Sequence, residues 1–148
     1  MAVIDIMDIV ARGALLGLDP GSKTIGIAVS DGARIAATPL ETVKRTKFKA
    51  DAERVFSLYD NRQCVGIVVG MPINMDGTSG PRAQSVRAFA ANLLQVRDVP
   101  LVFWDERLST VAVERTLLAA DTRRSRRKEV IDKMAAAYIL QGALDRLR

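Results

Sequence analysis

The spacing of apolar residues changes along this 148-residue chain, and that change constrains the fold more than any single residue does. Residues 15–18 form a short apolar run, and residues 24–30 alternate between large apolar and small side chains. The Asp31-Gly32 pair is a hairpin signal, so a third strand is expected around Ala33 to Thr38. The chain is therefore predicted to begin with an antiparallel meander of three strands.

After residue 47, helical spacing alternates with short apolar runs of the kind found in strands covered on both faces. The expected elements are a helix from about Phe48, a strand at Val65 to Val69, a helix from Pro81, a strand at Leu101 to Trp104, a helix from Ser109 or Thr110 to about Ala120, and a last helix from about Arg126 to Leu147. This order predicts an α/β fold in one domain over residues 1–148. Its mixed five-stranded sheet joins the antiparallel meander to parallel strands, with helices on both faces.

Three acidic residues, far apart in the sequence, are expected to meet at one edge of this sheet. Asp19 and Glu106 end strand-like runs, and Asp132 lies near the start of the last helix. Sites in open α/β sheets gather beyond the carboxyl ends of the parallel strands. Asp105 precedes Glu106, and because side chains alternate along a strand only one of the two should face the site. The sequence alone leaves that choice open. Each acid also has a structural interpretation, as a turn residue, a partner of a neighbouring arginine or an early-helix carboxylate.

The composition narrows the chemistry that such a site can perform. The chain has no histidine, which excludes a Ser-His-Asp or Cys-His nucleophile, and its one cysteine, Cys64, excludes an internal disulfide and a cysteine cluster for zinc. Three crowded carboxylates repel one another, and Mg²⁺ or Mn²⁺ would relieve that repulsion. Two such ions, about 4 Å apart, can activate water and stabilise the leaving oxygen at phosphorus.

The basic residues favour a polyanionic partner. The net charge is +5 and the isoelectric point is about 9.8. The densest basic run directly precedes Asp132 and is interpreted as a phosphate clamp, although such runs are often only solvated connections. The candidate nucleic-acid-binding residues are Lys23, Arg107, Arg123, Arg124, Arg126, Arg127 and Lys128, with Lys44, Arg45, Lys47 and Lys49 as a second, weaker cluster. Gly21 in the first turn and Asn74 and Gly77 in the 71–80 loop are candidates for a backbone contact to phosphate, or they only connect strands and helices.

The sequence also bears on location. No apolar run approaches the ~20 residues that a membrane span needs, and the first residues, which carry Asp5 and Asp8, make a poor signal peptide. We therefore expect no membrane association and a reducing, cytoplasmic setting.

Four segments, in order, resemble the YqgF family, also called RuvX, of small bacterial proteins with a ribonuclease H-like fold. They are LGLDPGSKTIGIAVSD, IVVGMPINMDGTSGPRAQSVRAFAANL, WDERLST and VIDKMAAAYILQGALD, and they span roughly residues 15–146. The resemblance implies that Asp19, Glu106 and Asp132 are the metal-binding catalytic set, which favours Glu106 over Asp105. It implies a nuclease that matures the 5′ end of the 16S ribosomal RNA precursor or, in an older proposal, cleaves Holliday junctions. Residues 1–13 lie outside the match, as an N-terminal extension.

Two functions of other classes compete with a nuclease. One is an ATPase or sugar kinase of the actin-like superfamily, whose phosphate loop resembles DPGSKTIG, but those enzymes close two such domains around the nucleotide and this chain has room for one. The other is a non-catalytic RNA-binding module, since related domains have lost the acids, which are all present here. A junction resolvase should act as a symmetric dimer, and the sequence leaves a monomer or a homodimer open.

Overall fold

The computed structural model describes residues 4, 8–9, 12–72, 80–106 and 124–147, and the side chains of the last range from residue 133 onward. The strands are β1 (Ala14–Pro20), β2 (Thr24–Ser30), β3 (Ala37–Lys44), β4 (Cys64–Met71) and β5 (Leu101–Asp105). The helices are α1 (Phe48–Asn61), α2 (Pro81–Val96) and α3 (Arg124–Leu147). The helix predicted between residues 109 and 120 lies outside the described residues.

The five strands form one mixed sheet in the order β3-β2-β1-β4-β5. β1 and β2 pair antiparallel, as do β2 and β3, whereas β4 runs parallel to both β1 and β5. The predicted meander and the predicted parallel strands are both confirmed. Because β1, β4 and β5 all run in one direction, their carboxyl ends lie along the same edge of the sheet, which we call the carboxyl edge.

Helices cover the sheet on both faces, as predicted. Leu16 and Leu18 of β1 point into a core shared with α1 and α2, whereas Leu15 points into a second core built against α3. Gly17 faces α3 as well, since a Cβ on it would lie 2.8 Å from Cβ of Leu140. The absence of a side chain at this position allows the helix backbone to press against β1.

The third strand starts later than the sequence predicts. The carboxylate of Asp31 accepts hydrogen bonds from the backbone N–H groups of Ile35 and Ala36, both at 2.9 Å, and Arg34 has a φ of 60°. An Asp side chain that binds backbone N–H groups four and five residues later closes a longer turn than a two-residue hairpin. The predicted strand start at Ala33 is therefore wrong.

Part of the leading segment packs against the sheet. The N–H of Ile4 donates to the carbonyl of Leu101 at 2.9 Å, and the Ile9 side chain covers Gly66 of β4. None of the helices in the described part of the chain is long and apolar enough to cross a membrane.

Candidate active site

Asp19 lies at the carboxyl edge, on the face of the sheet that α3 covers. It is the third of the alternating β1 residues on that face, after Leu15 and Gly17, and only 5% of its surface is exposed. On one side its partner across the strands is Gly26. On the other side it is level with Gly70, one residue beyond the pairing of Leu18 with Val69. The residues level with this carboxylate on both neighbouring strands are therefore glycines, which carry no side chain of their own.

Glu106 approaches the same space from β5. A Cβ on Gly70 would lie 3.2 Å from Oε1 of Glu106 and 2.5 Å from Cδ1 of Ile139 on α3. The Glu106 carboxylate therefore reaches back over β4, between the sheet and α3, and its Oε1 atom is buried. Oε1 of Glu106 thus lies over β4, which is the strand next to β1, and adjacent strands are about 4.8 Å apart. The expectation that these acids gather at one edge holds for Asp19 and Glu106.

Asp105 and Glu106 lie in different surroundings because of the strand register. Trp104 lies in the core against α3, and its indole packs on Gly142 of that helix. Because side chains alternate, Asp105 is directed to the opposite face and Glu106 returns to the face of Asp19. The two neighbouring acids therefore have different surroundings, and Glu106 is the one beside Asp19.

Helix α3 contains the third predicted acid. Ala136, whose carbonyl oxygen is 3.2 Å from the Cβ position of Gly17, lies one helical turn after Asp132. The Asp132 side chain itself lies outside the described residues. Within the described part of the chain, no three or more His, Cys, Asp or Glu side chains come together in a way that could hold a metal ion.

The predicted nucleic-acid contacts are only partly described. Lys23 is exposed in the β1–β2 turn, and Gly21 closes that turn by donating its N–H to the carbonyl of Thr24 at 2.8 Å. The backbone of α3 includes the basic run, but its side chains there lie outside the described residues, namely those of Arg124, Arg126, Arg127 and Lys128. Wholly outside the described residues are Asn74, Gly77, Arg107 and Arg123.

A cleft of about 780 Å³ opens beside Asp19, on the face covered by α1 and α2. It is bounded by the β1–β2 turn, the segment between β3 and α1, and the first turns of α2. Its wall includes Gly21, Ser22, Arg45, Thr46, Arg82 and Ser85. Among the described residues that line it, two are arginines and none is acidic.

Arg45 ties the wall of this cleft to the turn that follows Asp19. Its Nη1 donates to the carbonyl of Gly21 at 2.6 Å, and its backbone N–H donates to the carbonyl of Lys23 at 2.8 Å. Its guanidinium stacks over the Phe89 ring of α2, 5.2 Å from the ring centre. Asp51, 3% exposed, supports the segment from behind by accepting the N–H of Thr46 at 3.1 Å.

Sequence reasoning missed two residues of this region. Gly70 directly follows the predicted strand at Val65 to Val69, and its signal is a glycine at the end of an apolar run, which often marks a close approach. Arg82 was not singled out because it is an isolated charge at the start of a helix.

Comparison with known proteins gives one family match and a set of relatives. The RuvX family model, described as Holliday junction resolvase, matches residues 13–146. A relative from Cereibacter sphaeroides strain KD131, named "Putative pre-16S rRNA nuclease", is 67% identical over 135 residues, which are 91% of this chain and 84% of the relative. One of the same name from Phenylobacterium zucineum is 57% identical and covers 100% of this chain and 99% of its own length.

Solved structures of two resolvases resemble the fold. Thermus thermophilus RuvC in complex with a Holliday junction substrate superposes with a TM-score of 0.57 at 15% identity, covering 90% of this chain and 95% of that one. The yeast mitochondrial Holliday junction resolvase Ydc2 gives a TM-score of 0.51 at 14% identity, covering 94% and 81%. At these identities the likeness establishes the fold alone. The predicted ribonuclease H-like architecture is thereby confirmed.

Proposed function

Because this chain belongs to the RuvX family, we propose that it is a metal-dependent endonuclease that hydrolyses phosphodiester bonds and processes the 5′ end of the 16S rRNA precursor. The observation that carries the proposal is the position of the Glu106 carboxylate over Gly70, one strand away from Asp19 and on the same face. Asp19 is buried and the Oε1 atom of Glu106 is buried on the same face, so two carboxylates approach each other at the carboxyl edge, where a cation would reduce their mutual repulsion.

The donor set fits a hard divalent cation. Carboxylate oxygens are the ligands that Mg²⁺ and Mn²⁺ prefer, and the buried Oε1 of Glu106, close to Gly70, is such an oxygen. Asp19 and Glu106 would hold the metal with Asp132 as the third ligand, and the basic charge of the chain would attract the substrate backbone. Bound there, one ion or two would lower the pKa of a water and neutralise charge on the phosphate.

Asp132 is proposed as the third ligand because of its position along α3. It precedes Ala136 by four residues, which is about one helical turn, and Ala136 lies against Gly17. Gly17 in turn precedes Asp19 by two residues on the same face of β1. The backbone of α3 at residue 132 is thus one turn from a point that contacts the strand carrying Asp19.

Ribosomal RNA is the proposed substrate because relatives that align with most of this chain are named "Putative pre-16S rRNA nuclease". A second candidate is a branched DNA junction. It is favoured by the description of the family and by the likeness of the fold to RuvC with its junction substrate. Cleavage of a two-fold junction would need a symmetric dimer, whereas removal of a single-stranded leader would need one site. We propose a cytoplasmic location, which the single free thiol of Cys64 supports.

The test is cleavage of a pre-16S rRNA 5′-leader fragment and of a synthetic four-way DNA junction. Wild type, Asp19→Asn and Asp132→Asn would be compared with Mn²⁺, with Mg²⁺ and with EDTA, and folding of each variant checked by circular dichroism. We expect metal-dependent cuts in the RNA that both substitutions abolish while the fold remains. Intact RNA and DNA in the presence of normal RNA binding would refute the nuclease and favour the binding module. Hydrolysis of ATP would favour the actin-like alternative.

A further inference from the structure

We propose that the cleft between the β1–β2 turn and α2 binds one phosphate of the substrate strand next to the cleavage point, through Arg45 and Arg82. The inference rests on the proposed function, because Asp19 and Glu106 are taken to mark the position of the scissile phosphate. It adds a second subsite on the other face of the sheet and, with it, a property of the substrate.

The charge of the cleft suits a phosphodiester. Arg45 comes from the segment after β3, and Arg82 comes from the first turn of α2, so two separate elements each contribute one guanidinium. Guanidinium groups present planar pairs of N–H donors that match phosphate oxygens. Arg45 uses Nη1 to bind Gly21, and a guanidinium has five N–H groups, so donors remain for a second acceptor. Ser22 adds a hydroxyl group to the same wall, whereas the hydroxyl of Ser85 donates to the carbonyl of Pro81 at 3.2 Å.

The cleft offers the backbone of a nucleic acid a site, and it offers the bases very little. Its nearest aromatic ring, Phe89, is 3% exposed and lies under the Arg45 guanidinium, so it provides no surface on which a base could stack. Recognition here would therefore be independent of sequence.

The position of the cleft constrains the substrate. Asp19 faces α3, whereas Pro20, the next residue, lines the cleft on the opposite face. A strand with its scissile phosphate beside Asp19 and a neighbouring phosphate beside Arg45 must turn over the carboxyl edge within a short distance. A continuous stiff duplex resists such a turn. The inferred substrate is flexible or single-stranded on one side of the cut.

The experiment measures how binding of a short single-stranded RNA depends on salt. Wild type, Arg82→Gln and Arg45→Gln would be titrated with the fluorescent oligonucleotide over a series of KCl concentrations, in EDTA so that the RNA stays intact. The matched control is Arg62→Gln, which removes the same charge just before β4, at the edge opposite the carboxyl edge. A DNA oligonucleotide of the same sequence forms the second arm and tells whether the ribose contributes.

We expect Arg82→Gln to weaken binding roughly tenfold and to reduce the slope of log K against log[KCl] by about 0.7, the value for one phosphate of a single strand. Arg45→Gln should do at least as much, because it also releases the turn at Gly21. Arg62→Gln should leave the slope unchanged. A set of DNA oligonucleotides would each carry one neutral methylphosphonate linkage at a different position. At one position the neutral linkage should weaken binding by the wild-type protein and should not weaken binding by Arg82→Gln any further.

If the slope of log K against log[KCl] is the same for Arg82→Gln, Arg62→Gln and wild type, the proposal is overturned. It is also overturned if the protein binds ATP and Arg82→Gln abolishes that binding while the slope for the oligonucleotide stays unchanged. The two proposals fail separately. If wild type cleaves RNA with Mn²⁺ but the slopes are equal, the nuclease stands and the cleft does not. If the slopes differ as expected but nothing is cleaved, the phosphate subsite stands and the nuclease does not.

Discussion

Gly70→Ala is the sharpest test of the site, because it adds one methyl group between the sheet and the Glu106 carboxylate. Its Cβ would lie 2.5 Å from Cδ1 of Ile139 and 3.2 Å from Oε1 of Glu106. Carbon atoms in contact prefer about 3.5 to 4.0 Å, so Cδ1 of Ile139 must move by about 1 Å. Overpacking of this kind costs about 1 to 3 kcal/mol, partly offset by the roughly 0.5 to 1 kcal/mol that alanine gains over glycine in a strand.

An effect is also expected on catalysis. The Glu106 carboxylate must give way by a few tenths of an ångström, because its Oε1 would lie 3.2 Å from the added Cβ. A misplacement of about 1 Å in a catalytic constellation can lower the rate about 100-fold, so this smaller shift should lower the cleavage rate by roughly 3- to 10-fold. The assay is single-turnover cleavage of the RNA leader with Mn²⁺, with thermal denaturation of each variant run in parallel. Gly32→Ala is the matched control, since a Cβ on Gly32 meets nothing within 4 Å. It should leave both stability and the cleavage rate at the wild-type level.

A second substitution separates packing from the position of the carboxylate. Ile139→Val removes Cδ1, the atom that the new Cβ would meet at 2.5 Å, and by itself costs about 0.5 to 1.5 kcal/mol. In the double variant with Gly70→Ala the two costs should therefore be less than additive, by roughly 1 kcal/mol. The cleavage rate should stay low, because Oε1 of Glu106 is still 3.2 Å from the added Cβ. A folded Gly70→Ala protein that cleaves at the wild-type rate would refute the role of Glu106 at this position.

Three further predictions concern the framework around the site. Gly17→Ala should destabilise the protein by about 2 to 3 kcal/mol, because the added Cβ would lie 2.8 Å from Cβ of Leu140 and 3.2 Å from the carbonyl oxygen of Ala136, and neither atom can rotate away. A melting temperature lowered by less than about 2 °C would contradict this prediction. Burial raises the pKa of the Cys64 thiol from 9.0 to about 11, so the folded protein should resist alkylation at pH 8 and should lose stability as the pH rises from about 9 to 11, where only the unfolded thiol ionises. Cys64→Ser should remove that alkaline loss in urea titrations if the thiol is its source. Asp51→Ala should cost about 1 to 2 kcal/mol through the lost bond to the N–H of Thr46, and should weaken RNA binding by loosening the segment that carries Arg45; unchanged binding would separate Asp51 from the cleft.

The order of strands and helices could be predicted because each element has its own periodicity. Alternation in residues 24–30 and the apolar run before Met71 each depend on contacts that recur along one strand, so they appear in the sequence without knowledge of the partner. The start of β3 was missed for the opposite reason. The Asp31 carboxylate accepts hydrogen bonds from the N–H groups of Ile35 and Ala36, which stabilises a longer turn than a two-residue hairpin. The spacing of apolar residues does not reveal which of the two turns has the lower free energy.

The sequence names the candidate acids of the site but does not reveal the glycines beside them. A carboxylate at the end of an apolar strand is visible in the sequence, which is why Asp19 and Glu106 could be named. The glycines that make room for them acquire their meaning from a second element, since Gly70 matters only because Ile139 and Glu106 converge on it. Periodicity alone likewise does not distinguish Asp105 from Glu106: the family resemblance favours Glu106, and the physical reason is the position of Trp104 against α3. Contacts between elements carry this information, and one sequence does not contain it in readable form.

The two sides of the carboxyl edge are linked by the alternation of a single strand. Asp19 and Pro20 are consecutive, yet one faces the acids and the other faces the cleft. The turn that follows is fixed to β3 by Arg45 through the carbonyls of Gly21 and Lys23. Any shift of that turn would therefore change the position of Asp19 and the width of the cleft together. Binding of a phosphate by Arg45 would hold the turn in place and, through the turn, the carboxylate of Asp19. The proposed subsite would therefore position the substrate strand and also stabilise the arrangement of acids that is proposed to cleave it.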